Sequence, residues 1–236
     1  MRGLASIYNL IWQYVNGLEL TGGEFMKKGK AFLLALALSC VVAGCGGEKT
    51  PEVSSVTIGK DGAITHQIVG GFEQNYYEMD GLKALATDRV AEYCADNGEG
   101  SVTLSSVEEK DGKVLLQLNY ATDKDYSGFN NRELFVGTLE EAYGHSYPLE
   151  GVAFISADGK PMELGFMEER DKKQIVIIAT KPSEELVVNT YGKVLYINQS
   201  ANSNLDVSFY GKKGAHIAYP ANEDADETVL SYIVFE

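Results

Sequence analysis

Asp123, Asp125 and Ser127 place side-chain oxygens at alternate positions, end at Gly128 and are followed by Glu133. Hard cations such as calcium take their ligands as oxygens, and a loop offering them at this spacing before a glycine suits such an ion. With Asp123 as position one, Asn131 falls at position nine. Position twelve, where a calcium loop needs a bidentate glutamate, is Leu134, and Glu133 comes one place early. Asp123, Asp125, Ser127 and Glu133 are therefore a weak calcium set, and no metal is expected. The competing reading is a polar Asx-type turn that ends a strand. The acidic run Asn222–Glu227 reads as a solvated loop.

Other chemistry is thinner still. Gly144-His145-Ser146-Tyr147-Pro148 starts like a serine nucleophile elbow, but the last glycine is a proline. The run also follows a short helix, whereas the elbow needs a strand-to-helix turn. His66, His145 and His216 stand far apart, and none belongs to an H-E-x-x-H or Cys/His pair, so zinc has no signature. No glycine-rich loop joins a strand to a helix in the way nucleotide binding requires. The carboxylates are many, but their spacing along the chain does not fix their separation in space. No catalytic residue is assigned. Tyr76, Tyr77, Tyr126 and Phe129 could form a surface for a glycan or a protein. Tyrosine also packs well between a sheet and a helix, and that core role is the stronger expectation.

One run does carry a message. Lys27, Lys28 and Lys30 precede an uncharged apolar stretch from Ala31 to Gly44. About 20 apolar residues are needed to span a bilayer, so this stretch is short for that. A basic region, a short apolar core and a small-residue cleavage site make an export signal. Val42-Ala43-Gly44-Cys45 resembles the lipobox of bacterial lipoproteins. The resemblance implies a diacylglycerol on the Cys45 thiol and cleavage before it, so that residues 26–44 leave as a signal peptide. Two acyl chains anchor stably where one does not. No other cofactor is expected.

Residues 1–25 are too long for an ordinary basic leader. Thr21-Gly22-Gly23-Glu24-Phe25 back-translates into a purine-rich ribosome-binding sequence ahead of Met26. Translation is therefore expected to start at Met26, leaving 1–25 untranslated, in a Gram-positive bacterium. The general organisation resembles small surface lipoproteins of that group.

The chain has 20 Lys and Arg against 34 Asp and Glu, a net charge of −14. Four of the basic residues lie before Cys45, so the mature part is more acidic still. Nucleic acid, which needs a basic footprint, is disfavoured. Of the three cysteines, Cys40 leaves with the signal and Cys45 is acylated. Cys94 remains, with no partner for an intramolecular disulfide, and reads as a small core residue.

The elements that must position these residues follow from periodicity. Val56–Ile58 and Ile64–Val69 flank Lys60-Asp61-Gly62 as a hairpin, and Val102–Val107 and Val114–Tyr120 flank Lys110-Asp111-Gly112 as another. Asp80–Asn97 reads as the one strong helix, with Leu82, Leu85, Ala86, Val90, Tyr93 and Cys94 on one face. Thr138–Tyr143 reads as a short helix, and Val152–Ser156 with Met162–Phe166 as a further hairpin. Six short strands are expected between Gln174 and Phe235.

The expected class is α+β: an antiparallel sheet with one main helix, about 80–97, followed by a β-rich C-terminal part. Residues 45–55 form the lipidated cysteine and tether, 56–180 an α+β domain, and 183–236 a small β domain or a continuation of the sheet. The expected function is a non-catalytic binding or interaction module at the outer face of the cell membrane. Its partners would be the membrane, through the anchor, and a surface protein or glycan. The alternative is a hydrolase acting on wall or imported polymers.

Overall fold

A computed structural model describes residues 50–71, 79–162, 169–199, 205–220 and 228–236. Cys45, the signal segment, Tyr76, Tyr77, most of Met162–Phe166 and the acidic run Asn222–Glu227 lie outside the described residues.

The class is α+β, dominated by two largely antiparallel sheets. The strands are β1 (Ser54–Ile58), β2 (Ile64–Gly71), β3 (Val102–Lys110), β4 (Lys113–Tyr120), β5 (Leu134–Thr138) and β6 (Ala153–Ser156). They continue as β7 (Gln174–Thr180), β8 (Glu184–Asn189), β9 (Val194–Gln199), β10 (Asp206–Tyr210), β11 (Gly214–Tyr219) and β12 (Val229–Phe235). The helices are α1 (Met79–Asn97), α2 (Asp123–Asn130) and α3 (Leu139–Gly144).

The first sheet runs β10-β11-β8-β1-β2-β4-β3 and the second β5-β7-β12-β9-β6. Strands from after Ser183 occur in both. β1 pairs in parallel with β8, and β12 pairs with both β7 and β9.

Alternation explains the main core. In β2, Ile64, His66 and Ile68 point inward while Thr65 and Gln67 are half-buried. Val56, Ile58, Leu116, Leu118, Leu186 and Val188 of the first sheet join Val176, Ile178, Ile233 and Phe235 of the second in one cluster. Each such aliphatic side chain contributes about 1.5–3 kcal/mol on burial. β7 does not alternate: Ile175 through Thr180 are all buried. Its second face is covered by a separate cluster, in which Ile175, Ile177, Tyr232 and Val234 meet Leu139 and Ala142 of α3, with Leu149 and Phe154. A continuous apolar run fits a strand covered on both faces.

α1 packs along β3, burying Leu82 and Ala86, with Val90, Tyr93 and Cys94 half-buried against the same core. It ends at Gly98, whose φ of 106° suits glycine and whose N–H donates to the Cys94 carbonyl. Asp111 and Gly112 both have positive φ, the arrangement of a tight two-residue hairpin turn.

One expectation is corrected. The run after β4 is neither a calcium loop nor an Asx turn but the helix α2. Thr122 caps it: its Oγ1 accepts from the Asp125 N–H at 3.2 Å and donates to the Asp125 carboxylate at 2.7 Å. Tyr126, Phe129 and Asn130 face the interior, so burial outweighs the weak helix propensity of Asp, Ser, Gly and Asn.

Candidate functional site

The four calcium candidates sit on or just after α2, and each is engaged with a different partner. Asp123 accepts from the Val136 N–H at 2.9 Å, tying α2 to β5. Asp125 belongs to the helix cap. Ser127 bonds both backbone groups of Leu134, at 2.9 and 3.0 Å. Glu133 accepts from the Tyr147 hydroxyl, which burial and that carboxylate push up from its ordinary pKa. Their oxygens organise the turn into β5 and do not converge. Among the described residues no group of three or more acidic, His or Cys side chains is arranged to hold a metal ion.

Ionisable groups do gather elsewhere, inside the protein. Arg132, two residues past α2, forms an ion pair with Glu184 at the start of β8, and their side chains are only 7% and 9% exposed. Glu184 also accepts from the Lys181 N–H at 2.8 Å. The Arg132 guanidinium faces the Tyr126 hydroxyl. Desolvation works to lower the Arg132 pKa, but Tyr126 and Glu184 outweigh it and hold the guanidinium charged. The rings of Tyr126 and His66 lie 5.3 Å apart, and those of Tyr126 and Tyr120 5.1 Å apart. Asn130 closes the group, donating to the Tyr120 hydroxyl at 3.1 Å and to the Tyr126 carbonyl at 2.8 Å.

Burial sets the protonation states. Desolvation, helped by the Arg132 charge, pushes the His66 pKa down to about 3. Burial pushes Tyr120 and Tyr126 up. Both ring nitrogens of His66 lack a hydrogen-bond partner, as do the buried hydroxyls of Thr180 and Ser231. A useful general base needs a pKa near the working pH and reach to a substrate proton. His66 has neither, being only 1% exposed. The cluster can fix the seating of α2, β2, β4 and β8, and its side chains are closed off from solvent.

One open feature among the described residues is largely apolar. A groove of about 380 Å³ lies where α3 and the chain after it meet β6, with Tyr143, Leu149, Val152, Phe154, Pro161 and Met162 among its lining. That volume lies in the range of small-molecule sites, which are mostly apolar. Nearby Ser146, the would-be nucleophile, is exposed with φ 62°. Its conformation belongs to the end of α3: the Ser146 N–H donates to Tyr143 and the Tyr147 N–H to Ala142, a Schellman closure. The hydroxyl stands at no strand-to-helix turn.

The remaining expected residues are also placed. Tyr126 and Phe129 are core side chains, 0% and 4% exposed, and leave no binding surface. Cys94 is a free thiol whose Sγ donates to the Val102 carbonyl at 3.3 Å. His216 lies against Glu185, Nε2 to Oε1 at 2.7 Å.

Sequence reasoning missed the Arg132–Glu184 pair, because residues 52 apart carry no local signal. His66 was findable, since alternation with Ile64 and Ile68 points it inward. The fold and its sites define an α+β protein of two packed sheets with a closed polar interior and an open apolar groove. No family model, no curated protein and no solved structure matches the chain.

Proposed function

We propose that the protein is a lipid-anchored extracytoplasmic protein at the outer face of the cell membrane, and that its folded part is a non-catalytic binding or interaction module. The observation that carries the anchor is Val42-Ala43-Gly44-Cys45 behind a basic and apolar leader, with a folded part that begins within a few residues of Cys45. Each buried acyl methylene contributes about 0.8 kcal/mol, so a diacylglycerol on Cys45 holds an acidic protein at a bilayer against charge repulsion.

The binding role is supported by the contrast between the two sites. The Arg132 cluster is walled in, and the groove beside β6 is lined mainly by apolar side chains. A surface protein or a glycan with an apolar face is the class of partner that groove suits.

The test is fractionation after expression in a bacterium that processes lipoproteins, with mass analysis of the mature N-terminus. Wild type should partition with the membrane and begin at an acylated Cys45. Cys45→Ser removes the sulfur that is acylated, and should move the protein to the soluble fraction with its fold intact. Cys94→Ser should leave membrane association unchanged. Equal membrane partition of Cys45→Ser and wild type would refute the proposal.

A further inference from the structure

We propose that one end of the first sheet, the β3–β4 turn at Lys110–Lys113, is held against the bilayer surface by a short leash. This rests on the Cys45 anchor reading and adds an orientation to it. The sequence assigns the tether to residues 45–55, ten residues of which would let the domain stand off by about 30 Å. The structure leaves much less free. Thr50 donates through Oγ1 to the Asp111 carboxylate, and Glu52 is ion-paired to Lys113. Ser54 already belongs to β1, and its Oγ accepts from the Val69 N–H at 3.0 Å. The chain thus lies against the β3–β4 turn from Thr50 onward. From Cys45 to Thr50 the backbone makes five steps, which reach at most about 17 Å when fully extended.

The topology says what lies at each end. β2 runs antiparallel to β1 and ends at Gly71, opposite Lys113 at the start of β4. β3 ends at Lys110, opposite the same residue. The start of β8 lies there too, because Ser54 pairs with Leu186. The opposite end holds the β1–β2 turn, the start of β3 and the end of α1. The eight residues of β4 separate the two ends by about 25 Å. An anchor at Cys45 therefore brings the β3–β4 turn near the headgroups and holds the α1–β3 turn away.

The experiment places a fluorophore at either end of the lipidated protein in a Cys94→Ser background, with Cys45 blocked by its own acylation. Glu109→Cys labels the near end and Glu99→Cys the far end, and both side chains are exposed. The vesicles are phosphatidylcholine and phosphatidylglycerol doped with a headgroup spin-labelled lipid, a short-range quencher. Quenching should be several-fold stronger at position 109 than at 99. Inserting a flexible Gly-Ser segment of twenty residues between Lys49 and Thr50 should bring the two to equality, since such a segment spans about 25 Å on average.

Equal quenching without the insertion, or stronger quenching at 99, overturns the orientation. Persistence of the difference with the insertion overturns the leash as its cause. Flotation of the same vesicles separates the two proposals. A protein that floats but shows equal quenching refutes the orientation alone, and one that does not float refutes the anchor and the orientation together.

Discussion

The interior cluster around Arg132 and the groove beside β6 invert the usual placement of polar and apolar residues. In the first, a guanidinium, a carboxylate, an imidazole and two phenols are shut between the sheets. In the second, Tyr143, Val152, Phe154 and Met162 line a groove open to solvent. Residue type alone would have assigned chemistry to the first set and packing to the second. Burial reverses both assignments. A buried ion pair is an uncertain contributor to stability, because desolvation of the charges opposes their attraction. What it does impose is a large penalty on arrangements that separate its members. The exposed rim of the groove carries no such constraint, whereas Leu149 and Phe154 at its base belong to the second core cluster.

The largest expected effect tests that asymmetry directly. Glu184→Ala strands the Arg132 charge in the core and should cost about 3–5 kcal/mol in urea denaturation. Arg132→Met combined with Glu184→Leu should cost clearly less than Glu184→Ala alone. If the single change costs no more than the double, the cluster does not act as a pair.

His66 offers the next test. Its folded pKa of about 3 lies below the ordinary 6.5, so the folded state refuses a proton that the unfolded chain accepts. Its contribution is therefore intact above pH 6.5 and is lost as pH falls from there toward 3. The slope approaches 1.4 kcal/mol per pH unit, which is about 2 kcal/mol lost by pH 5. His66→Leu should remove this part of the acid dependence, seen as a stability difference from wild type that changes between pH 7 and 5. A pH-independent difference would mean that the imidazole titrates in the fold as it does in the unfolded chain.

The groove should respond more weakly. Ala153→Glu, at an exposed position of the lining, should change stability by no more than about 0.5 kcal/mol, yet reduce binding of an apolar fluorescent dye. A large loss of stability would mean that this rim of the groove is needed for the fold, and would remove the contrast. The smallest expected effect is that of calcium. At about 1 mM, within the range of weak extracellular sites, it should not raise the melting temperature. A saturable rise abolished by Asp125→Ala would reunite Asp123, Asp125, Ser127 and Glu133 as ligands.

Several of these features were legible beforehand. The α3 start is written in Thr138-Leu139-Glu140-Glu141, a capping box. The Thr138 N–H donates to the Glu141 carboxylate at 2.7 Å and holds its pKa below the usual range. The α2 start carries a related signal in Thr122 and Asp125. The oxygen spacing masks it, because a polar helix and a calcium loop share that spacing. β5 carries no clear strand signal, because Phe135 and Val136 sit in a short run beside Gly137 without alternation.

By itself the sequence determined the first two hairpins, the long helix and the inward side of β2. Each of these is a local pattern, fixed by turn chemistry or by the two- and 3.6-residue periods. Only the tertiary structure decided that β1 lies beside β8, that Arg132 meets Glu184 and that Thr50 and Glu52 fasten to the β3–β4 turn. Those pairings join residues 52 to more than 130 positions apart. They form because whole faces must be buried together, and no local pattern specifies which face meets which.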